Sequence, residues 1–264
     1  MTSPTEIKIS ILGYVLATLR LVMIISSLAV MVLIGVMLMT LRLVNQQMAF
    51  RLRTYWCRFA IWIMGVKIHK SGKLDLTPGT LYVGNHRSLV DPLIVFAYLN
   101  NGYVVGKIEV SGYPLVHTGA SLSGVVYVDR SDANSRKSTR ESIFELLKKK
   151  WSVLVFPEGT ISITAESKMF RKGAFEAAAA SGSPVVAFAL ELGDPHRDFW
   201  YGDGLFHLYY RGFSKWRTNV YLHFFQPVIQ TNGEQLCEQV QKEVNAKMKE
   251  FQKHYWTNDP YELV

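Results

Sequence analysis

His86 and Asp91 stand five positions apart in Asn85-His86-Arg87-Ser88-Leu89-Val90-Asp91, an imidazole and a carboxylate near enough in sequence for acid–base chemistry. Along one helix that spacing would put the two side chains on different faces. In a turn that folds back, the Asp91 carboxylate can take one ring nitrogen and leave the other facing outward. The pair would then be a base with an orienting carboxylate, a hydrolase triad without its serine. The same residues also fit a hydrogen-bonded histidine beside an ordinary helix cap. The stretch alone leaves both readings open.

The flanking elements say where this pair sits. Thr80-Leu81-Tyr82-Val83-Gly84 reads as a short buried strand closed by glycine. Asp91-Pro92 reads as a helix start, with Asp91 as N-cap and Pro92 at the first helical position. His86 is thus expected in a strand-to-helix turn at the carboxyl end of a strand, where open α/β sheets place their ligands. Two later segments favour the chemical reading. Trp151 to Phe156 is a second apolar strand, running into Pro157-Glu158-Gly159-Thr160, and Gly124 to Val128 is a third, closing on Asp129-Arg130. Three strands that each end in polar groups point to one site along one sheet edge.

In this order and spacing the segments resemble the glycerolipid acyltransferase family, over residues 80 to 190. The family's N-H-x-x-x-x-D motif matches at His86 and Asp91, its second motif at Gly124 through Arg130, and its third at Phe156-Pro157-Glu158-Gly159-Thr160. Lys107-Ile108-Glu109 with Pro114 and Gly119 look like the segment before the second motif, and Phe170-Arg171-Lys172-Gly173-Ala174-Phe175 like the basic segment after the third. The resemblance implies transfer of a fatty acyl group from acyl-CoA or acyl-carrier protein to the free hydroxyl of 1-acylglycerol-3-phosphate, giving phosphatidic acid in phospholipid biosynthesis. It implies His86 as the base and Asp91 as its orienting partner. Arg130 and Lys107 would hold the acceptor phosphate, and Glu158, Gly159 and Thr160 would shape the acceptor pocket. No metal or redox cofactor is called for, because the thioester arrives already activated.

Two departures stand out. The family often carries a basic residue directly after Glu-Gly-Thr, and here that place is Ile161. Its fourth motif usually has a proline inside the strand, whereas this chain reads Pro184-Val185-Val186-Ala187-Phe188-Ala189. Ile161 is the main support for a rival acceptor, a lyso-ornithine or other amino-acid lysolipid. A rival of another class is a membrane-anchored protein that holds lipid or acyl carrier without turnover. Intact His86, Asp91 and Glu158 argue against that binder, which needs no oriented base.

The front of the chain is a different kind of sequence. No residue from Leu21 to Leu41 is charged, and Arg20 and Arg42 bracket the run. As a helix it is long enough to cross a hydrocarbon core of about 30 Å. Ile9 to Leu19 is also largely apolar, so the whole block exceeds one straight span and leaves tilt, a bend near Arg20 or partial interfacial placement open. A cleaved signal peptide fits poorly, since the run exceeds a typical h-region and no small-x-small pattern follows it. Next, Arg42, Arg51, Arg53 and Arg58 interleave with Tyr55, Trp56, Phe59 and Trp62, a pattern that suits an amphipathic helix at an anionic lipid surface. The basic excess on this side puts the rest of the chain on the cytoplasmic face of the membrane.

A net charge of +8 would also suit a nucleic-acid binder. There is, however, no zinc-finger spacing, RNP-like strand or helix-turn-helix signature, and the charge gathers beside the apolar block. Anionic lipid and a phosphate-bearing substrate explain it more economically. The absence of G-x-S-x-G, P-loop, G-x-G-x-x-G and H-E-x-x-H patterns argues against a serine hydrolase, a nucleotide enzyme and a zinc protease. Cys57 and Cys237 are far apart in sequence and read as reduced and structural.

The expected architecture is an N-terminal membrane anchor over 1–65 followed by one α/β domain over 66–264, a mixed central sheet flanked by helices. Helices are expected near 91–100, 133–150, 173–181 and 233–253. Strands are expected near 81–84, 102–106, 124–128, 152–156, 184–190, 206–211 and 219–225. Leu236, Val240, Val244, Met248 and Phe251 form a helical stripe that reads as core packing.

Overall fold

A computed structural model describes residues 7–107, 124–128, 132–200 and 204–257 of the chain. Seven strands among them form one sheet: β1 (Val66–Gly72), β2 (Leu81–Gly84), β3 (Tyr103–Lys107), β4 (Val125–Val128), β5 (Val153–Val155), β6 (Val185–Leu192) and β7 (Thr218–Phe224). Their order across the sheet is β1-β7-β6-β2-β5-β3-β4. From β6 to β4 all neighbours are parallel, β7 is antiparallel to β6, and β1 is parallel to β7. The sheet is mixed, and its five parallel strands deliver their carboxyl ends to one edge.

Eight helices surround it among the described residues: α1 (Ile11–Thr40), α2 (Gln46–Ile63), α3 (Asp91–Phe96), α4 (Ala133–Lys148), α5 (Gly173–Ser181), α6 (Pro195–Asp198), α7 (Leu205–Phe213) and α8 (Gly233–Tyr255). Strand alternation divides the core in two. Tyr82, Leu154, Val186, Phe188 and Leu190 face Cys57 of α2 and Ile94 of α3. Leu81, Val83, Val153, Val155 and Ala187 face the opposite way, onto Ile143 of α4, Phe175 of α5 and the α8 stripe from Leu236 to Phe251. Central strands covered on both faces need near-continuous apolar runs, which β2, β5 and β6 have.

Two elements differ from expectation. The segment 206–211 is not a strand but lies in helix α7, with Leu208, Tyr209, Gly212 and Phe213 buried. That spacing is helical; the density of aromatics imitates strand composition. Strand β1 was not anticipated, because Val66-Lys67-Ile68-His69-Lys70 is an edge strand with much of its length wet.

The apolar block is one continuous helix. α1 has 30 residues, about 45 Å at 1.5 Å per residue. Its first third is docked on the α/β body rather than free. A Cβ on Gly13 would stand 2.8 Å from the Ser214 carbonyl oxygen. Ala17 is fully buried, and the Arg20 guanidinium donates to Phe213 O, Lys215 O and Trp216 O at 2.7–2.9 Å. Those three carbonyls satisfy a cation inside an otherwise apolar helix. Beyond Leu21 the helix exposes Val22, Met23, Ile25, Val30 and Leu33. It is the single described helix long and apolar enough to cross a membrane.

Helix α2 buries one of its arginines. Arg53 is buried, donates to Gly102 O at 2.7 Å, and lies over the Phe50 and Phe96 rings. Arg58 donates to Ala97 O at 2.7 Å. Tyr55, Phe59 and Trp62 are exposed on the same helix, as are Arg51 and Arg58. Arg53 turns fully inward and Arg58 bends its guanidinium to the end of α3, while Arg51 stays exposed.

Candidate active site

Strand β2 places the site. Gly84 packs so closely on Phe188 of β6 that any Cβ would overlap both its ring and its carbonyl. The next residue, Asn85, is buried and extends the β2–β6 ladder with its side chain: Nδ2 donates to Leu190 O at 2.7 Å and Oδ1 accepts from Leu190 N at 2.8 Å. The chain then leaves the sheet at a fixed angle, with His86 at the turn. Its N–H donates to Glu158 Oε1 at 2.8 Å and its carbonyl accepts from Ser162 N at 2.8 Å. The imidazole stacks on Phe156 with ring centroids 4.2 Å apart. Backbone and ring are thus held on three sides.

His86 Nδ1 lies 2.7 Å from Asp91 Oδ2. Asp91 is fully buried, and the same oxygen accepts from Arg87 N at 2.5 Å and Ser88 N at 2.8 Å, while Oδ1 accepts from Ser88 Oγ at 2.6 Å. Asp91 is therefore not the cap of α3; it is the first helical residue, and Val90 caps without a side-chain bond. The carboxylate is drawn back into the preceding turn by donors that converge there. With Asp91 on Nδ1, the ring carries its proton on that side and Nε2 is a lone-pair acceptor. No described residue bonds Nε2. Such a ring can take a proton from a hydroxyl brought against it.

Glu158 is 4% exposed, and its second oxygen accepts from Lys168 N at 2.7 Å. Burial pushes its carboxyl above the usual carboxylate range, an effect the N–H donors of Lys168 and His86 partly offset. Both oxygens face backbone donors, so Glu158 braces the His86 turn. Gly159 has φ +73°, which favours glycine, and Thr160 is exposed. Lys107 ends β3, and Arg130 lies outside the described residues. Among the described residues no group of three or more His, Cys, Asp or Glu is placed to hold a metal.

Residues 65–191 match the family model described as Acyltransferase. That match takes in His86, Asp91, Glu158 and Glu191. A 1-acyl-sn-glycerol-3-phosphate acyltransferase from Cocos nucifera is 32% identical over 135 residues, 50% of this chain and 44% of that protein. A chloroplastic 1-acyl-sn-glycerol-3-phosphate acyltransferase of Arabidopsis thaliana is 36% identical over 110 residues, 42% of this chain and 31% of that protein. The match thus spans less than half the length of either relative. In fold, the chain is similar to the crystal structure of the 1-acyl-sn-glycerophosphate acyltransferase of Thermotoga maritima, with a TM-score of 0.69 at 20% identity, covering 92% of this chain and 98% of that one.

Within the matched residues, the sequence does not announce the parts played by Asn85, Arg87 and Glu191. Arg87 is fully buried and grips Glu191 through two bonds, Nε to Oε1 at 3.1 Å and Nη2 to Oε2 at 2.8 Å. Its Nη1 donates to Ser162 O and Thr164 O at 2.9 and 2.7 Å. Arg87 lies inside the first motif between His86 and Ser88, polar neighbours that give no sign of a buried partner 104 residues away.

Because β2 aims His86, crowding that strand is expected to be felt directly. Gly84→Ala adds a methyl where the Phe188 ring and a sheet carbonyl already stand. Overpacking of this kind costs about 1–3 kcal/mol. Urea unfolding of the variant should show that loss. An unchanged midpoint would mean that β2 and β6 part freely.

Proposed function

We propose that the chain is a membrane-bound 1-acylglycerol-3-phosphate O-acyltransferase, using an acyl thioester of CoA or acyl-carrier protein and releasing phosphatidic acid. The observation that carries the reading is the buried Asp91 carboxylate on His86 Nδ1, with Nε2 bonded by none of the described residues. The Acyltransferase family model and the names of the plant relatives support the same reaction.

In this reading the acceptor hydroxyl attacks the thioester carbonyl carbon and gives its proton to His86 Nε2. Asp91 keeps the ring in the required tautomer and stabilises the imidazolium that forms. The C–S bond then breaks and the thiolate leaves. A thiol pKa near 8.5 makes it a good leaving group, so direct transfer needs no acyl-enzyme. Arg130 and Lys107 would hold the acceptor phosphate, and the Glu158-Gly159-Thr160 turn would border the acceptor. No resident metal or redox cofactor takes part.

Helix α1, with its exposed apolar length beyond Leu21, and the outward aromatics of α2 would hold the enzyme at the cytoplasmic membrane with the α/β body on the cytoplasmic side. Residues 1–65 would then serve as an anchor packed on the 66–264 body.

Purified full-length protein in phospholipid vesicles, given labelled acyl-CoA and a panel of lysolipids, tests the proposal. The expected product is labelled phosphatidic acid from 1-acylglycerol-3-phosphate. Acylation of a lyso-ornithine lipid alone would overturn the acceptor. Specific binding of lysolipid without turnover would overturn the enzyme.

A further inference from the structure

The turn Pro157-Glu158-Gly159-Thr160 runs on into Ile161, an apolar side chain at its exit. Two cations nevertheless reach that turn, from the segment 168–171. The segment is tied to the turn by its backbone: Lys168 N donates to Glu158 Oε2 at 2.7 Å and Arg171 N donates to Pro157 O at 3.0 Å. The side chains follow. Lys168 Nζ comes within 3.4 Å of Ile161 O, and the Arg171 guanidinium lies over Gly159, where a Cβ would stand 3.0 Å from its Cζ.

Two neighbouring cations are already engaged. Lys172 is paired with Glu234 at 3.2 Å and Glu176 at 3.7 Å, and Arg140 with Glu176 at 2.8 Å. Lys168 and Arg171 are exposed and pair with no carboxylate among the described residues. Both line a cavity of about 1300 Å³ that also reaches Glu158 and Phe156, the first bonded to His86 and the second stacked on it.

We propose that Lys168 and Arg171 form an anion subsite beside His86 that, in addition to the Arg130 and Lys107 assigned above, takes the phosphate monoester of the acceptor lipid. The proposal rests on the reading of His86 as the base of an acyltransferase. A phosphate monoester is the chemistry that two cations at one turn, without carboxylate partners, recognise. Both 1-acylglycerol-3-phosphate and CoA carry one. Proximity decides between them. In the acceptor, the phosphate hangs on a carbon next to or near the one bearing the reacting hydroxyl. In CoA, it lies at the far end of the pantetheine arm from the thioester. A cation one residue from the glutamate that braces His86 is placed for the near phosphate.

The test compares wild type with Lys168→Ala, Arg171→Ala and the charge-keeping Arg171→Lys, each as full-length protein in phospholipid vesicles. Both side chains are exposed, so thermal unfolding should be unchanged. For Arg171→Ala, KM for 1-acylglycerol-3-phosphate is expected to rise roughly ten- to hundredfold, the range for a charge-assisted contact. KM for acyl-CoA should stay near wild type, Lys168→Ala should show a smaller rise, and Arg171→Lys should recover part of the loss. A rise confined to KM for acyl-CoA would overturn the proposal and give these cations to the donor. Unchanged values for both substrates would overturn it too. Calorimetric binding of a short-chain 1-acylglycerol-3-phosphate separates this proposal from the reaction. Binding weakened by Arg171→Ala in a wild type without turnover would uphold the subsite while the enzyme reading falls. Wild-type binding indifferent to both alanine substitutions would overturn the subsite.

Discussion

Alanine in place of His86 is expected to reduce acyl transfer by roughly 10²–10⁴-fold, the usual cost of removing a general base, with the fold intact. The reasons lie in what the substitution spares. The His86 backbone bonds to Glu158 and Ser162 do not involve the ring. Asp91 keeps Arg87 N, Ser88 N and Ser88 Oγ, so its buried carboxylate still has three donors when the imidazole is gone. The ring itself is 13% exposed, so its loss opens a notch at the surface rather than a sealed void. Initial rates with acyl-CoA and 1-acylglycerol-3-phosphate, set beside thermal unfolding of the same preparation, separate chemistry from folding. Near-normal turnover by a verified pure variant would sink the mechanism. A variant that fails to fold would instead make His86 a structural residue.

How much of this is legible in sequence depends on the range of each interaction. The strand, turn and helix around His86 are local, and the pattern of apolar residues, glycine and Asp-Pro announces them. Even there the carboxylate of Asp91 looks like a cap, because a cap and a backward-reaching acid use the same residue type at the same place. The helix α7 reads as a strand for a related reason: aromatic density is shared by both classes, and only the buried set Leu208, Tyr209, Gly212 and Phe213 tells them apart. Arg53 and Arg58 look like part of a lipid-facing stripe until the carbonyls of Gly102 and Ala97 are in place to receive them. Arg171 is plainly basic in sequence. Its position over Gly159 depends on a bond to Pro157 that no periodicity announces.

The contact least legible is also the one whose loss should cost most in stability. Arg87 and Glu191 are 104 residues apart, both fully exposed to none of the solvent, and bonded side by side. Gln252 of α8 donates to Glu191 Oε2 at 3.0 Å and to Ala165 O at 2.7 Å, and the Arg87 guanidinium lies 4.7 Å from the Phe199 ring centroid. One ion pair therefore ties β6, α8 and the segment 162–165 to the turn that carries His86. Arg87→Met fills similar volume but leaves Glu191 buried without its counter-charge, at an expected cost of about 3–5 kcal/mol. That is a large share of the 5–15 kcal/mol by which domains are typically stable. Adding Glu191→Leu removes the stranded charge and should recover part of the loss. Recovery will be incomplete, since the carbonyls of Ser162 and Thr164 still lack the donors that Arg87 supplied. Ser162 N is the donor to His86 O, so a loosened segment should also lower kcat in the double variant even where it is folded. Urea unfolding of both singles and the double measures the coupling. A loss below about 1 kcal/mol for Arg87→Met would place the pair with weak surface bridges and leave the His86 turn to be held by Asn85, Asp91 and Glu158.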